Sequence, residues 1–308
     1  MKHIVAFSSG KDSQATLIWV ANQVGSKEPG IWPKDKQDVV AVYNDTKWEH
    51  PTILEHAKYV TDFLGVKLVV LTPARGFIQL AIHKKRFPSR MAQFCTSELK
   101  VKPFIDYILD ELTDQNLVIY DGKRRLESEA RKNTPQHCQF FKFYMEPYKT
   151  DKVGKKVGYT YRKKEVLARQ GNYATEIYRP VVDWTGQQCI DYIIANGQVP
   201  NPLYSKGAVR VGCYPCINSS HDELRKLFTY DSDLLAKLLD AERQVGSTFF
   251  APDRIPKRFM SQVDAKTGKR FPTAQDVYNY VMNEHPEQLK IFDKEQPKAC
   301  SSIYGLCG

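Results

Sequence analysis

The sequence predicts an α/β protein with a doubly wound, mostly parallel five-stranded sheet and a smaller cysteine-containing helical region at the C-terminal end. Three observations predict it. Through the first half, short apolar runs alternate with helix-like segments. A polar, glycine-containing loop comes directly after the first run, where open α/β sheets bind ligands. Beyond residue 200 the alternation gives way to a loop-rich cysteine segment and then helices.

Taken in order, His3–Phe7 reads as the first strand and residues 12–24 as a helix with Ala15, Leu17, Ile18 and Val20 on its apolar side. Val39–Tyr43 is the second strand, His50–Leu64 a helix and Lys67–Leu71 the third strand. Glu98–Leu112 is a helix broken early by Pro103, and Leu117–Tyr120 is the fourth strand. Ile177–Val182 is the fifth, ahead of a helix over Thr185–Ala195. Residues 134–175 are rich in Lys, Tyr, Gln and Gly without a sustained period, the signature of an insertion or mobile loop. The last helices fall at Asp222–Gln244 and Thr273–Glu284. A nucleotide-binding domain over 1–220 and a helical region over 221–308 are therefore expected.

The 308 residues suffice for a substantial core, and the apolar content of 42% is that of an ordinary globular protein. No apolar run approaches a membrane span, and His3–Phe7 is too short for a signal peptide, so a cytoplasmic location without a membrane partner is expected. The formal net charge of +10 predicts a polyanionic partner, and nucleic acid or a small anion fits equally well. The basic residues cluster at His83–Arg86, Lys123–Arg125 and Lys152–Lys164. Seven cysteines without an export signal point to metal or redox chemistry rather than disulfides.

Ser8-Ser9-Gly10-Lys11-Asp12-Ser13 has the make-up of a phosphate loop. Between a strand and a helix, such a loop aims backbone N–H groups and the positive helix end at one point. Lys11 adds a mobile charge, Ser8, Ser9 and Ser13 offer hydroxyls, and Asp12 can orient the loop or help hold magnesium. The spacing is not that of a Walker A loop. A helix start capped by Ser8 or Ser9 would explain one serine but not Gly-Lys-Asp-Ser behind a buried strand.

This hexapeptide resembles the SGGKDS loop of the PP-loop (N-type) ATP pyrophosphatases, in the branch that contains the phosphoadenosine phosphosulfate (PAPS) reductases, with Ser9 in place of the second glycine. Asn44-Asp45-Thr46 is similar to the family's DT element beside the nucleotide, with Lys47 at its usual glycine. Gly122-Lys123-Arg124-Arg125-Leu126-Glu127-Ser128 resembles its G-x-R-x-x-E/Q-S element, and Arg179–Thr185 its P-x-x-D-W-T segment. Asn201-Pro202-Leu203-Tyr204, Gly207 and Gly212–Cys216 resemble its NPLY-x-x-G and GC-x-x-C stretch. The resemblance spans residues 3–220 and implies an adenine nucleotide alpha hydrolase-like fold. It also implies a nucleotide site built from the loop with Asp45, Thr46, Gly122, Glu127 and Ser128.

In the arginine element, Gly122 lets the backbone approach a ligand, and Arg124 and Arg125 can fork onto phosphate or sulfate oxygens. Glu127 can hold one guanidinium, and Arg131 can add to the clamp. Cys213 and Cys216 form a C-x-x-C pair able to reach one metal. Cys95 resembles the cysteine that cluster-bearing reductases place before a K-V-x-P segment, here Lys100–Pro103. Two ligand sets compete: a 4Fe-4S cluster on Cys95, Cys213, Cys216 and one of Cys300 and Cys307, or a structural zinc on Cys213, Cys216, Cys300 and Cys307. Cys138 and Cys189 read as buried free thiols.

The retained Lys11 and Asp12 distinguish this loop from the degenerate loops of sulfate-assimilation reductases, and no ECGLH-like tail is present. The expectation is ATP with Mg2+, cleaved to AMP and pyrophosphate with Lys11, Asp12, Arg124 and Arg125 as catalytic residues, and coupled to sulfur transfer. Nucleic acid is the candidate acceptor and a protein the sulfur or electron donor. Thiol-dependent reduction of PAPS or adenylyl sulfate through Cys300 or Cys307 is the alternative. A nucleotide- or DNA-binding regulator is the third.

Overall fold

The computed structural model of the chain describes residues 1–28, 30–146, 149–150, 154, 156–263 and 268–283. Its centre is a six-stranded sheet. The strands are β1 (Lys2–Ala6), β2 (Val39–Asn44), β3 (Lys67–Leu71), β4 (Leu117–Tyr120), β5 (His137–Gln139) and β6 (Thr175–Tyr178), in the order β3-β2-β1-β4-β6-β5. Five are parallel, and β5 pairs antiparallel with β6 at one edge. The fold class is as the sequence predicts, with one strand more than expected. That strand comes from within 134–175, a segment that also carries a helix at Lys163–Asn172. Three residues pairing across a sheet edge leave no periodic trace in a sequence.

The inner strands alternate their side chains between two apolar layers, which is why they bury on both faces. Ile4, Val42, Ile119 and Ile177 pack against Phe104, Ile105 and Ile108 of one helix, Lys102–Glu111. Val5, Ala41, Val118 and Tyr120 pack on the other face against α1 (Lys11–Asn22) and α2 (Pro51–Leu64) through Leu17, Val20, Ala57 and Val60. Trimming one of these side chains, as in Ile119→Ala, costs about 2–5 kcal/mol. Pro103 does break the Glu98–Leu112 helix: a π turn over Ser97–Val101 precedes the regular helix from Lys102. The short helix α3 (Phe77–Lys84) has no counterpart in the sequence-based assignment.

The expected helix over Asp222–Gln244 is two helices, His221–Tyr230 and Leu234–Val245. The break is an aspartate turn in which Asp233 N–H donates to the Asp231 carboxylate at 3.0 Å. These helices and Ala274–Asn283 share a core with Tyr43 near the end of β2 and with Trp48, Phe77 and Phe87 from the segments that follow β2 and β3, so they stand at the carboxyl end of the strands. Glu284, at the end of the last expected helix, lies outside the described residues.

Candidate active site

In the sheet, β1 has β2 on one side and β4 on the other, so the strand order reverses between β1 and β4. Crevices for ligands open at such a switch point. The loops after both strands meet there: Ser8, Gly10–Ser13 and Asp121–Lys123 line one cleft of about 230 Å³.

The loop's conformation explains its residues. Ser9 stands in the left-handed region at φ 63° and is fully buried. Its hydroxyl lies 2.9 Å from His56 Nδ1 and accepts from Asn201 Nδ2 at 3.2 Å, so it faces the interior and is no donor to a cleft ligand. His56 Nε2 is 3.1 Å from the Val199 carbonyl, which can only accept, so Nε2 carries the proton and Nδ1 receives the Ser9 hydroxyl. The Ser13 hydroxyl donates to Gly10 O at 3.0 Å and accepts from Ser8 N–H at 3.1 Å, which closes the loop on itself. The N-cap of α1 is Gly10, with no side-chain cap. The helix therefore presents its N–H groups and positive end to the cleft. Of these, Lys11 N–H donates to Tyr204 Oη at 2.9 Å. The Lys11 ammonium sits 5.0 Å from the Tyr204 ring centroid and 3.5 Å from Val209 O.

The arginine element behaves differently from its sequence expectation. Arg124 is buried and donates through Nε to Asp12 Oδ1 at 2.8 Å and through Nη1 to Trp184 O at 3.3 Å. Arg125 donates to Thr134 O at 2.9 Å and pairs with Asp183, and it is not among the cleft residues. Both guanidiniums tie loops together. Gly122 lines the cleft and also passes close to the loop: a Cβ there would come within 2.7 Å of the Asp12 carbonyl carbon. Glu127 pairs with Arg131 as expected, and both line the cleft. Ser128 Oγ is buried without a hydrogen-bond partner among the described residues.

The cleft draws cations from elsewhere: Lys11, Lys100, Lys123, Arg131 and Arg210 line it, against Asp12, Asp121 and Glu127. Each carboxylate faces an arginine, Asp12 with Arg124, Asp121 with the buried Arg179 at 3.3 Å, and Glu127 with Arg131. The balance left for a ligand is positive.

Asp45 and Thr46 are not in this cleft. Asp45 holds Lys47, which takes the glycine-like φ of 61°, at 2.5 Å. The Thr46 hydroxyl donates to Glu49 at 2.6 Å, and Thr46 lines a second, narrow pocket of about 20 Å³. Cys95, Cys213 and Cys216 line that same apolar pocket, and Lys100 lines both it and the cleft. Burial pushes the Cys213 thiol well above its ordinary range, with Lys100 opposing. Thiolates here need a compensating cation, and three sulfurs on one wall are a soft donor set suited to iron or zinc. The unexpanded space fits one water-sized group, and among the described residues no three His, Cys, Asp or Glu are gathered tightly enough to hold a metal. Cys300 and Cys307 lie outside the described residues. Cys189 is buried between α1 and Gly186–Ala195, its thiol raised to about 12 by burial. Cys138 is half-buried with Arg179 Nη1 at 3.7 Å.

Sequence reasoning assigned no role to His56, Lys100, Tyr204 or Arg210. Asn201 and Tyr204 carried a signal, since they belong to a recognised motif; His56 and Arg210 carried none. No helix among the described residues is long and apolar enough to cross a membrane.

Comparison with known proteins agrees with the motifs. An uncharacterized 37.8 kDa protein of Escherichia phage 186 is 27% identical over 99% of this chain and 96% of its own. The adenosine 5′-phosphosulfate reductase of Streptomyces coelicolor is 26% identical over 58% of this chain and 61% of that enzyme. A Candida auris phosphoadenylyl-sulfate reductase in complex with phosphate overlaps 70% of this chain and 83% of its own, at TM-score 0.43 and 16% identity. The phosphoadenosine phosphosulfate reductase domain matches residues 2–219, which hold the whole sheet, the loop and the Cys213–Cys216 pair. The chain belongs to the phosphoadenosine phosphosulfate reductase family.

Proposed function

We propose that this chain is a PP-loop enzyme that cleaves ATP to AMP and pyrophosphate and couples the cleavage to sulfur transfer. The observation that carries it is the Lys11 ammonium in a cleft of net positive charge, at the uncapped N-terminus of α1. An acceptor oxygen attacks the α-phosphorus, and the bond to pyrophosphate breaks as Lys11 and the helix end take up the charge on the leaving group. A sulfur nucleophile from a donor protein then displaces AMP from the adenylated acceptor. Asp12, held by Arg124, fixes the loop. The cleft carboxylates all face arginines, and magnesium would come bound to the nucleotide, where it would help neutralise the phosphates.

Cys95, Cys213 and Cys216 would hold an iron–sulfur group, with a fourth ligand from Cys300 or Cys307; zinc on Cys213, Cys216 and the terminal pair is the competing assignment. Bound, a cluster would supply electrons or a sulfur-binding iron. The test is ATP-dependent formation of AMP and pyrophosphate, lost in Lys11→Ala. No such formation with any acceptor, nucleic acid included, overturns the proposal.

A second reading, reduction of PAPS or adenylyl sulfate, is favoured by one observation: the thiol pocket adjoins the cleft through Lys100. It predicts sulfite release from either sulfonucleotide with a thiol donor, and loss of that release in Cys300→Ser or Cys307→Ser.

A further inference from the structure

The chain's surface charge is unevenly compensated. Several exposed or half-exposed cations stand beside a carboxylate: Arg162 with Asp106, Asp110 and Glu165, Lys132 with Glu129, Lys226 with Asp222, Arg243 with Asp240. One long stretch gathers cations with no carboxylate of its own. From Thr72 to Ser97 the sequence holds no Asp or Glu, yet it carries Arg75, Lys84, Lys85, Arg86 and Arg90. None of these five forms a salt bridge among the described residues. Lys84, Lys85 and Arg86 are exposed at the C-terminal end of α3, where the helix end favours cations.

Beyond α3 the chain makes a closed, apolar-tipped turn. Ser89 and Ala92 exchange both backbone hydrogen bonds, at 3.2 and 3.1 Å, so Arg90 and Met91 form a two-residue tip. Met91 is 94% exposed. A solvent-facing methionine on a closed turn serves no packing purpose in the chain itself. The turn leads straight to the thiols: Gln93 and Cys95 line the cysteine pocket, and so does Phe77 at the other end of α3. Arg86 lies 5.7 Å over the ring of Phe94, the residue before Cys95.

We propose that the C-terminal end of α3 and the Ser89–Ala92 turn form a seat for single-stranded nucleic acid at the mouth of the cysteine pocket. The cations at Lys84–Arg86 and Arg90 take successive phosphates, and Met91 contacts an unstacked base. Phosphates alternating with apolar bases match this pattern of charge and exposed apolar tip beside the cysteine pocket; an anionic membrane would use the same features, and the vesicle arm of the test separates the two. The inference rests on the sulfur-transfer reading only in naming the acceptor, since binding can be measured without turnover.

The test is fluorescence anisotropy of a labelled single-stranded oligonucleotide, with the same strand in a duplex and phosphatidylserine vesicles as parallel arms. Lys84→Glu, Lys85→Glu and Arg86→Glu together should weaken single-strand binding on the order of 10- to 100-fold and lower the log–log salt slope by about 2. The control reversal Lys226→Glu, at a compensated site, should do neither. Met91→Ala should weaken single-strand binding several-fold at an unchanged salt slope, as expected for lost contact with a base. Lys11→Ala should bind normally, so a failure of the ATP reading leaves this result intact. Absence of binding, equal effects of the patch and control reversals, or preference for duplex or vesicles overturns the seat. If the triple reversal does not fold by circular dichroism, Lys84→Gln with Lys85→Gln replaces it, with the same direction expected.

Discussion

The cleft and the cysteine pocket share Lys100 on their walls but are built on opposite physical terms. The cleft is polar and largely assembled: its serines and carboxylates have protein partners, and the charge left over is positive, with Lys11 at the helix end. The pocket is apolar and narrow, and burial holds Cys213 in its neutral thiol form. An anion can enter the first with little rearrangement. In the second, burial opposes a Cys213 thiolate unless a cation accompanies it. Parts that stay polar to bind must be paired in advance; parts that stay apolar must be charged by what arrives.

Separating the two regions by mutation gives the largest expected effect. Lys11→Ala should lower pyrophosphate release on the order of 10²- to 10³-fold, the scale for removing one charge stabiliser from a transition state. It should leave untouched any broad absorption near ~400 nm of protein purified without oxygen. Cys213→Ser should remove that absorption. Colourless, zinc-containing wild-type protein would show that the pocket does not charge through an iron–sulfur group.

The two arginines sharpen the polar side. Arg124→Ala removes a buried guanidinium from Asp12, which is itself partly exposed in the cleft, and should cost about 1–3 kcal/mol in a urea melt. Arg125→Ala, whose partner Asp183 is mostly exposed, should cost less than about 1 kcal/mol from that pair. If instead both variants fold like wild type and both lose nucleotide binding, the arginines grip the ligand and the assignment of Arg124 to the loop is wrong.

These arginines also mark the limit of what the sequence discloses. Strands β1 to β4, the loop at their switch point and the C-x-x-C pair were legible because each depends on neighbours in the chain: apolar runs, a glycine turn, a two-residue spacing. Which acid an arginine meets was not. Asp12 lies 112 positions from Arg124, and the choice between it and a ligand is made by how α1 packs on the loop after β4. Lys100 and Arg210 were missed for the same reason, since nothing local to either marks it as part of the cleft. β5 and α3 were too short to show a period.

The loop's support predicts a pH dependence. Burial lowers the pKa of His56, which holds Ser9, and takes that of His3, 3.0 Å from Tyr120 Oη, down to about 4. Between the ordinary 6.5 and these values the unfolded chain binds protons that the native chain does not, so stability is full above about pH 6.5 and falls below it. For His3 the loss by pH 4 is about 3 kcal/mol. Urea melts across pH 7.5 to 4 should show the decline, and His3→Asn should flatten its larger part. A wild-type stability that rises on acidification would contradict both buried neutral imidazoles.

The smallest effect concerns a single hydroxyl. Tyr204 Oη accepts the first N–H of α1 from Lys11, and its own proton has no acceptor among the described residues although the residue lines the cleft. The hydroxyl can therefore pass the helix's positive end to a phosphate by donating that proton. Its ring keeps the Lys11 ammonium nearby in Tyr204→Phe, so the chemistry survives and only the relay is lost. The expected result is a five- to tenfold higher KM for the nucleotide, about 1 kcal/mol, with kcat little changed. A lower KM would mean the reverse: that Tyr204 occupies the N–H a phosphate needs, and the cleft is closed by its own tyrosine until the nucleotide displaces it.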